Sequence, residues 1–187
     1  MAVLTLQDFI REMEALTAAE TDPRRITELG APLLRQLVSN PDAIEERFKR
    51  GGAHGHGRYM LHRAPSFNVT AVVWRPGDTA KAHNHETWGM IGVIGNEIQE
   101  TRFRRRDDGS KEGYADIETT DVLVHKPRAV SLLVPPEDDI HEMLNPTSRD
   151  TVEIHVYGKD LVDLRRLRFD PSRKAYATFC SPKYDNC

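Results

Sequence analysis

The chain has 187 residues, of which 39% are hydrophobic and 29% charged, and its formal net charge is −3 at pH 7. These values are typical of one soluble domain and exclude the strong basic field of many nucleic-acid-binding proteins. No apolar run approaches the ~20 residues of a membrane-spanning helix, and we expect no secretory signal. Only two cysteines are present, so we expect a reduced, cytoplasmic protein without a disulfide framework.

Residues 1–50 are predicted to form a helical segment that packs on the rest of a single domain. Apolar side chains recur at helical spacing after Thr5 and after Asp22, and both residues can cap a helix N-terminus. Pro23 suits the first turn of the second helix, and a short third helix is predicted from Asn40. The pattern does not decide whether these helices also mediate dimerisation, so a monomer and a homodimer both remain open.

Residues 51–187 are predicted to form a mainly β barrel. After the glycine-rich segment GGAHGHG, short β-rich runs such as SFNVTAVVW and TVEIHVYG are separated by turn signals. Many short strands at regular spacing favour an antiparallel barrel or sandwich. His54 and His56 of the glycine-rich segment are expected in a flexible loop or pocket lip rather than in a second metal site. After Asp160, we expect a helical turn and then a final strand near AYATFC.

Three of the eight histidines have a spacing that favours a metal site. Residues i and i+2 of a strand point to the same face, so His83 and His85 can converge on one point inside a barrel. His141 lies on a later segment, at a distance that fits a return strand. Neutral imidazole nitrogen suits Fe, Zn, Cu or Ni, and the ligand type alone does not choose among them.

The spacing around these histidines matches the two cupin motifs. Gly77 precedes His83 and His85 as in G-x₅-H-x-H. Residues 136–145 match P-x-G-x-x-H-x-x-x-N, except that Asp138 replaces the glycine. The expected fold is therefore a cupin barrel (double-stranded β-helix or jelly roll) with N-terminal helices.

The usual cupin carboxylate ligand is missing from the sequence. Gly89 and Met90 fill the positions four and five residues after the His-x-His pair. Glu86 would face away on a regular strand, and Glu97 lies too far along the chain. We therefore expect a ligand set of three histidines.

The segments HNHETWGMIGVIGNEIQET and DDIHEMLN, and the later IHVYG followed by a paired arginine, resemble thiol dioxygenases of the cysteine dioxygenase type. The similarity runs from about Arg58 to the end and is greatest to the bacterial 3-mercaptopropionate branch. It implies Fe(II) held by His83, His85 and His141, and oxidation of a small thiol carboxylate to its sulfinate with O₂. The implied substrates are of the 3-mercaptopropionate, mercaptosuccinate or cysteine type. No nucleic-acid or membrane partner is expected.

The resemblance also implies roles for residues around the iron. His155 and Tyr157 match a family pair in which the tyrosine hydroxyl lies near the reacting oxygen and the histidine orients it. Glu153 stands where the family has serine, and a carboxylate there would hold a charged His155. Arg166 matches the carboxylate-binding arginine of the 3-mercaptopropionate branch, and Arg58 lies near that of the cysteine-oxidising enzymes. Two arginines in one cavity would suit a dicarboxylic thiol such as mercaptosuccinate.

Other functions remain open at this point. One is a cupin dioxygenase that acts on carbon, and another is a non-catalytic, metal-containing cupin that binds a small ligand. A zinc-dependent isomerase or hydrolase would need a general base, for which Glu153 is the candidate. For Arg58 and Arg166, the alternative to substrate binding is a surface salt bridge with an acid such as Asp163.

Overall fold

The computed structural model describes residues 4–52 and 56–187, so His54 lies outside the described residues. Two α-helices precede the strands. The helices are α1 (Leu6–Ala19) and α2 (Pro23–Val38), and the strands are β1 (Gly57–Arg63), β2 (Asn68–Trp74), β3 (Thr79–His83), β4 (Gly89–Gly95), β5 (Ile98–Arg105), β6 (Ile117–His125), β7 (Val130–Leu133), β8 (Ile140–Leu144), β9 (Thr151–Tyr157), β10 (Arg166–Asp170) and β11 (Ala175–Phe179).

Both helices begin at the residues that the sequence predicts as caps. The backbone N–H of Asp8 donates to the Thr5 hydroxyl at 3.1 Å, and the Asp8 carboxylate accepts from the Thr5 N–H at 3.3 Å, which completes a capping box. Asp22 accepts from the Arg24 N–H at 2.8 Å at the start of α2. Neither described helix is long and apolar enough to cross a membrane.

The predicted third helix is wrong. Two separate 3₁₀ turns, Pro41–Ala43 and Glu46–Phe48, follow α2 instead. Between them Ile44 is extended, with φ −115° and ψ 126°, and its side chain is buried in the core beneath the helices. Burial of this one side chain outweighs the weak propensity of a short helix, which has few hydrogen bonds of its own.

The barrel is a rolled antiparallel hairpin. The described strands form a five-stranded sheet of order β1-β2-β9-β4-β7 and a six-stranded sheet of order β11-β10-β3-β8-β5-β6. Strands β2 to β5 pair in reverse order with β9 to β6, so that the pairs β2–β9 and β4–β7 lie in one sheet and β3–β8 and β5–β6 in the other. This connectivity is a jelly roll, and the predicted mainly β, cupin-type barrel is confirmed.

The two helices cover the outer face of the five-stranded sheet. Alternation along β9 turns Val152, Ile154 and Val156 toward the helices and leaves the other side chains for the barrel interior. Helix α2 approaches β4 closely at a glycine: a Cβ on Gly92 would lie 2.8 Å from Cγ1 of Val38. The glycine therefore sets the distance at which helix and sheet pack.

The predicted helical turn after Asp160 is also wrong. Residues 161–165 are irregular, and Arg166 begins strand β10, which pairs with β11 along its whole length. Strand β10 also pairs with β3, where Arg168 is opposite His83. Pairing on both sides overrides the local helical pattern of LVDLRRLRF and brings β10 next to the histidine cluster.

Candidate active site

The three predicted metal ligands form one cluster inside the barrel. His83 ends β3 and pairs with His141 on β8, while His85 lies two residues beyond the end of β3. The three ring centroids are 4.9 Å from one another in every pair. One ligand atom from each residue lies within 4.8 Å of the others. His85 is therefore placed by the loop after β3, and not by alternation along one strand as the His-x-His spacing alone suggests.

The hydrogen bonds of His83 and His141 decide which ring nitrogen is free for a metal. Nδ1 of His83 lies 2.8 Å from the carbonyl oxygen of Lys81, and Nδ1 of His141 lies 2.7 Å from the carboxylate of Glu100. A carbonyl and an ionised carboxylate can only accept, so both Nδ1 atoms carry the proton. The Nε2 lone pair of each ring remains available, which is the usual arrangement of a metal-binding histidine.

His85 is held in the same way by Asp139. Its Nδ1 lies 3.1 Å from the Asp139 carboxylate, which also accepts the backbone N–H groups of His85 and Glu86 at 3.0 and 3.2 Å. Burial raises the pKa of Asp139 to about 6, against the lowering effect of these two backbone hydrogen bonds. At neutral pH Asp139 is therefore an acceptor, and it fixes both the loop and the ring of His85.

The cluster fits a metal by its charge as well as its geometry. Burial, followed by the neighbouring imidazoles, holds the pKa of His83 and of His85 well below the usual value. Neutral imidazole is the form that binds iron, zinc, copper and nickel. Within the described residues the grouping contains His83, His85 and His141 and no carboxylate, which agrees with the three-histidine set expected from the sequence.

Gly89 and Met90, which fill the positions of the usual cupin glutamate, have packing roles. A Cβ on Gly89 would lie 2.7 Å from the ring of Tyr157, so this position has no room for a longer side chain. Met90 is buried in the core beneath the helices, on the face opposite the cluster. Neither position supplies a metal ligand.

A cavity of about 280 Å³ opens above the histidine cluster. Its described lining includes four permanently cationic side chains and no carboxylate. The cationic residues are Arg58, Lys81, Arg166 and Arg168. A cavity of this composition attracts anions and disfavours an ammonium group.

Arg166 is the most buried of these cations, with 3% of its surface exposed. Its Nη1 donates to the carbonyl oxygen of Asn84 at 2.9 Å, and its Nη2 donates to the Ser181 hydroxyl. Its Nε has no hydrogen-bond partner among the described residues. These two hydrogen bonds hold the guanidinium at the lining of the cavity, where its charge can attract an anion.

Arg58 lies on β1 at the cavity and is held by the C-terminal segment. Its guanidinium donates to the carbonyl oxygen of Pro182 and lies 4.8 Å from the ring centroid of Tyr184. Within the described residues neither Arg58 nor Arg166 forms a salt bridge with a carboxylate. The alternative role of these two arginines, a surface salt bridge with an acid such as Asp163, is therefore not found among the described residues.

Glu153, His155 and Tyr157 form a buried chain on the inner face of β9. Nδ1 of His155 lies 2.9 Å from the Tyr157 hydroxyl, and its Nε2 lies 3.0 Å from the Glu153 carboxylate. The same carboxylate oxygen accepts from Nε1 of Trp74 at 2.6 Å. When Glu153 is ionised, Nε2 carries a proton, and Nδ1 of a neutral His155 accepts the hydroxyl proton of Tyr157.

Tyr157 connects this chain to the histidine cluster. Its ring stacks on His85, with 5.3 Å between centroids and 15° between planes. Burial raises the pKa of the Tyr157 hydroxyl above its usual value, so the hydroxyl stays protonated at neutral pH.

Sequence reasoning missed four residues that contribute to the site. Asp139 lies two residues before His141 in the second motif, and that acid was an available signal. Lys81 lies two residues before His83 on β3, so strand alternation could have found it. Glu100 and Arg168 carry no local signal, because their positions depend on pairing between strands distant in sequence. His56, which the sequence places in a loop or pocket lip, lines the cavity. Its ring stacks on that of Trp74, with 4.7 Å between the ring centroids.

The fold and the site together define a cupin-type barrel with a candidate three-histidine metal centre. No protein-family model matches the chain. It is similar to a solved cupin superfamily protein from Desulfitobacterium hafniense (12% identity, TM-score 0.44, 66% of this chain and 91% of that one). It is also similar to a protein with a double-stranded β-helix domain from Klebsiella pneumoniae (14%, 0.47, 74% and 87%). A third similar structure is an oxalate oxidase in complex with glycolate (14%, 0.45, 62% and 59%).

Proposed function

We propose that this protein is an Fe(II)-dependent dioxygenase that oxidises the thiol of a small thiol carboxylate to a sulfinate. The observation that carries the proposal is the pairing of two features in one cavity. Three histidines without a carboxylate lie at one side, and a buried guanidinium fixed by two hydrogen bonds lies at another. The similarity of HNHETWGMIGVIGNEIQET and IHVYG to thiol dioxygenases supports the same activity.

The proposed oxidation of a thiol to a sulfinate by O₂ needs no external reductant. Fe(II) held by His83, His85 and His141 would supply the redox chemistry and lower the pKa of the thiol. The thiol loses its proton, both atoms of O₂ become bonded to sulfur, and sulfur provides the four electrons that O₂ takes up. The protein contributes orientation and electrostatic stabilisation.

The arginines supply the recognition of the substrate carboxylate. Arg166 is anchored by two hydrogen bonds and lines the cavity, so its positive charge can bind the substrate carboxylate. Arg58 lies in the same cavity and can bind a second carboxylate. Four cations and no carboxylate in the described lining favour 3-mercaptopropionate or mercaptosuccinate over cysteine, whose ammonium would have no acidic partner. Mercaptosuccinate would use both arginines.

The Glu153–His155–Tyr157 chain would hold one proton beside the reacting atoms. With His155 neutral, Tyr157 donates to its Nδ1 and turns the oxygen lone pairs toward the cavity. With His155 protonated, Nδ1 donates to Tyr157, and the hydroxyl proton can point to the substrate. In both states Nε2 of His155 carries a proton and donates it to the Glu153 carboxylate.

The test is O₂ uptake by the Fe(II)-loaded protein with 3-mercaptopropionate, mercaptosuccinate, cysteine and cysteamine. We expect uptake with stoichiometric sulfinate for the first two, weaker activity with cysteine, and the weakest with cysteamine, which lacks a carboxylate. Arg165→Met, at an exposed neighbour of Arg166, is the matched control. No uptake with any thiol, with iron confirmed bound, would contradict the proposal and favour an oxygenase acting on carbon or a binding protein.

A further inference from the structure

Glu100 is a buried carboxylate outside the cavity that contacts one candidate metal ligand. It lies on β5, and none of its surface is exposed. One oxygen accepts from Nδ1 of His141 at 2.7 Å. The other accepts from Nε2 of His125 at 2.7 Å and from the Ser131 hydroxyl at 2.9 Å, with Nε of Arg102 at 3.4 Å. Every oxygen of this carboxylate is therefore used, and all its partners are donors.

The three cluster histidines differ in what holds their Nδ1. His83 donates to a backbone carbonyl, and His85 donates to a carboxylate that is shared with two backbone N–H groups. Among the three, only His141 donates to a carboxylate that accepts no backbone N–H within the described chain, and this hydrogen bond is short, at 2.7 Å. A charged acceptor at Nδ1 makes the opposite nitrogen a stronger donor to a metal. His141 is thus the ligand whose basicity and orientation depend most on a side chain elsewhere in the barrel.

His125 connects Glu100 to a second cavity. This cavity, of about 320 Å³, lies between α2 and strands β6 and β7, and His125, Arg102 and Ser131 line it together. The side chain of His125 is 15% exposed. A single carboxylate therefore separates the half-buried His125 ring from the metal-facing His141 ring.

We propose that Glu100 is a positioning residue of the metal centre, and that through it His125 couples the second cavity to His141. Glu100 fixes His141 in the Nδ1–H tautomer, orients its ring and adds negative charge behind it. His125 and Arg102 hold Glu100 in the one position that reaches His141. A change at His125 then alters the metal centre without touching the substrate cavity. The inference depends on the three-histidine cluster binding a metal and not on thiol oxidation.

The experiment measures Co(II) binding to the full-length, metal-free protein, by competition with a chelator and by the visible absorption of bound Co(II). Glu100→Gln keeps the shape and an acceptor for His141 but removes the charge. We expect its Co(II) dissociation constant to rise by about 10- to 100-fold and its absorption bands to shift. Glu118→Gln, on the neighbouring strand and paired with Arg106, is the matched control and should bind Co(II) like the wild type.

His125 provides an independent arm in case the buried substitution prevents folding. His125→Leu removes the donor to Glu100 and should weaken Co(II) binding severalfold, with a band shift in the same direction as Glu100→Gln. His125→Gln, which keeps an N–H donor, should restore most of the affinity.

Wild-type Co(II) affinity and absorption in Glu100→Gln would overturn the positioning role, even if the metal-free variant melts at a lower temperature. Wild-type behaviour of His125→Leu would overturn the coupling to the second cavity. Neither result concerns thiol oxidation, so failure of this inference is distinguishable from failure of the proposed function.

Discussion

Replacing Arg166 by methionine should raise KM for a thiol carboxylate far more than it changes iron content. Arg166 is 3% exposed, and it lines the cavity above the histidine cluster. A hydrogen bond to a charged group contributes about 1.5–3 kcal/mol, which corresponds to roughly 10- to 100-fold in kcat/KM. Methionine has a similar length and is uncharged, so it leaves no unpaired charge in the cavity. Steady-state O₂ uptake against 3-mercaptopropionate, with iron measured on the same samples, gives the result.

Three controls separate substrate binding from structural damage. Arg165→Met changes an exposed neighbour and should leave KM unchanged. Cysteamine, which has no carboxylate, should show no rise in KM with Arg166→Met. Arg166→Lys keeps the charge but loses the planar fork, so its KM should lie between those of the wild type and Arg166→Met. An equal loss of kcat/KM for cysteamine and for 3-mercaptopropionate would refute the assignment of Arg166 to the carboxylate.

Four further predictions follow from the same structure. Arg58→Met should raise KM for mercaptosuccinate by about 10-fold and leave 3-mercaptopropionate nearly unchanged; equal effects on the two substrates would refute a two-arginine site. Glu153→Gln removes the charge that accepts from Nε2 of His155 and disturbs the hydrogen-bond chain to Tyr157, so kcat should fall by about 10-fold while iron content stays constant. Gly92→Ala should lower the free energy of unfolding by about 1–3 kcal/mol without changing KM, because its Cβ would lie 2.8 Å from Val38; an unchanged Tm would contradict this. A metal at 100 times its Kd should raise the free energy of unfolding by about 2.7 kcal/mol, and this gain should vanish in His141→Ala, as thermal melts with and without chelator can measure.

Glu153 determines which nitrogen of His155 carries a proton. A serine can donate or accept a hydrogen bond, whereas an ionised carboxylate only accepts. Glu153 therefore requires a proton on Nε2 of His155, and its second oxygen has no partner among the described residues. Nδ1 is then the ring nitrogen that faces the Tyr157 hydroxyl, so the Glu153 carboxylate fixes which ring nitrogen hydrogen-bonds to the tyrosine.

Several features of this protein follow from the sequence alone. The alternation of Glu153, His155 and Tyr157 places all three on one face of any strand, and the structure has them on the inner face of β9. Thr5 and Asp22 mark the helix starts because their side chains accept the first free backbone N–H groups. The His-x-His spacing and the position of His141 indicate the metal cluster. These are local patterns, set by the period of a helix or a strand, and they need no knowledge of distant contacts.

The tertiary structure alone decided the rest. The segment at Arg166 reads as helical in sequence, but pairing with β3 and β11 makes it a strand and turns its guanidinium into the cavity. Glu100 reaches His141 because β5 pairs with β8 across about forty residues of chain. Such contacts depend on strand register and barrel closure, in which a shift of one residue would turn each side chain to the opposite face. The sequence therefore determines which residues can bind a metal, and the closed barrel determines which partners set their protons and charge.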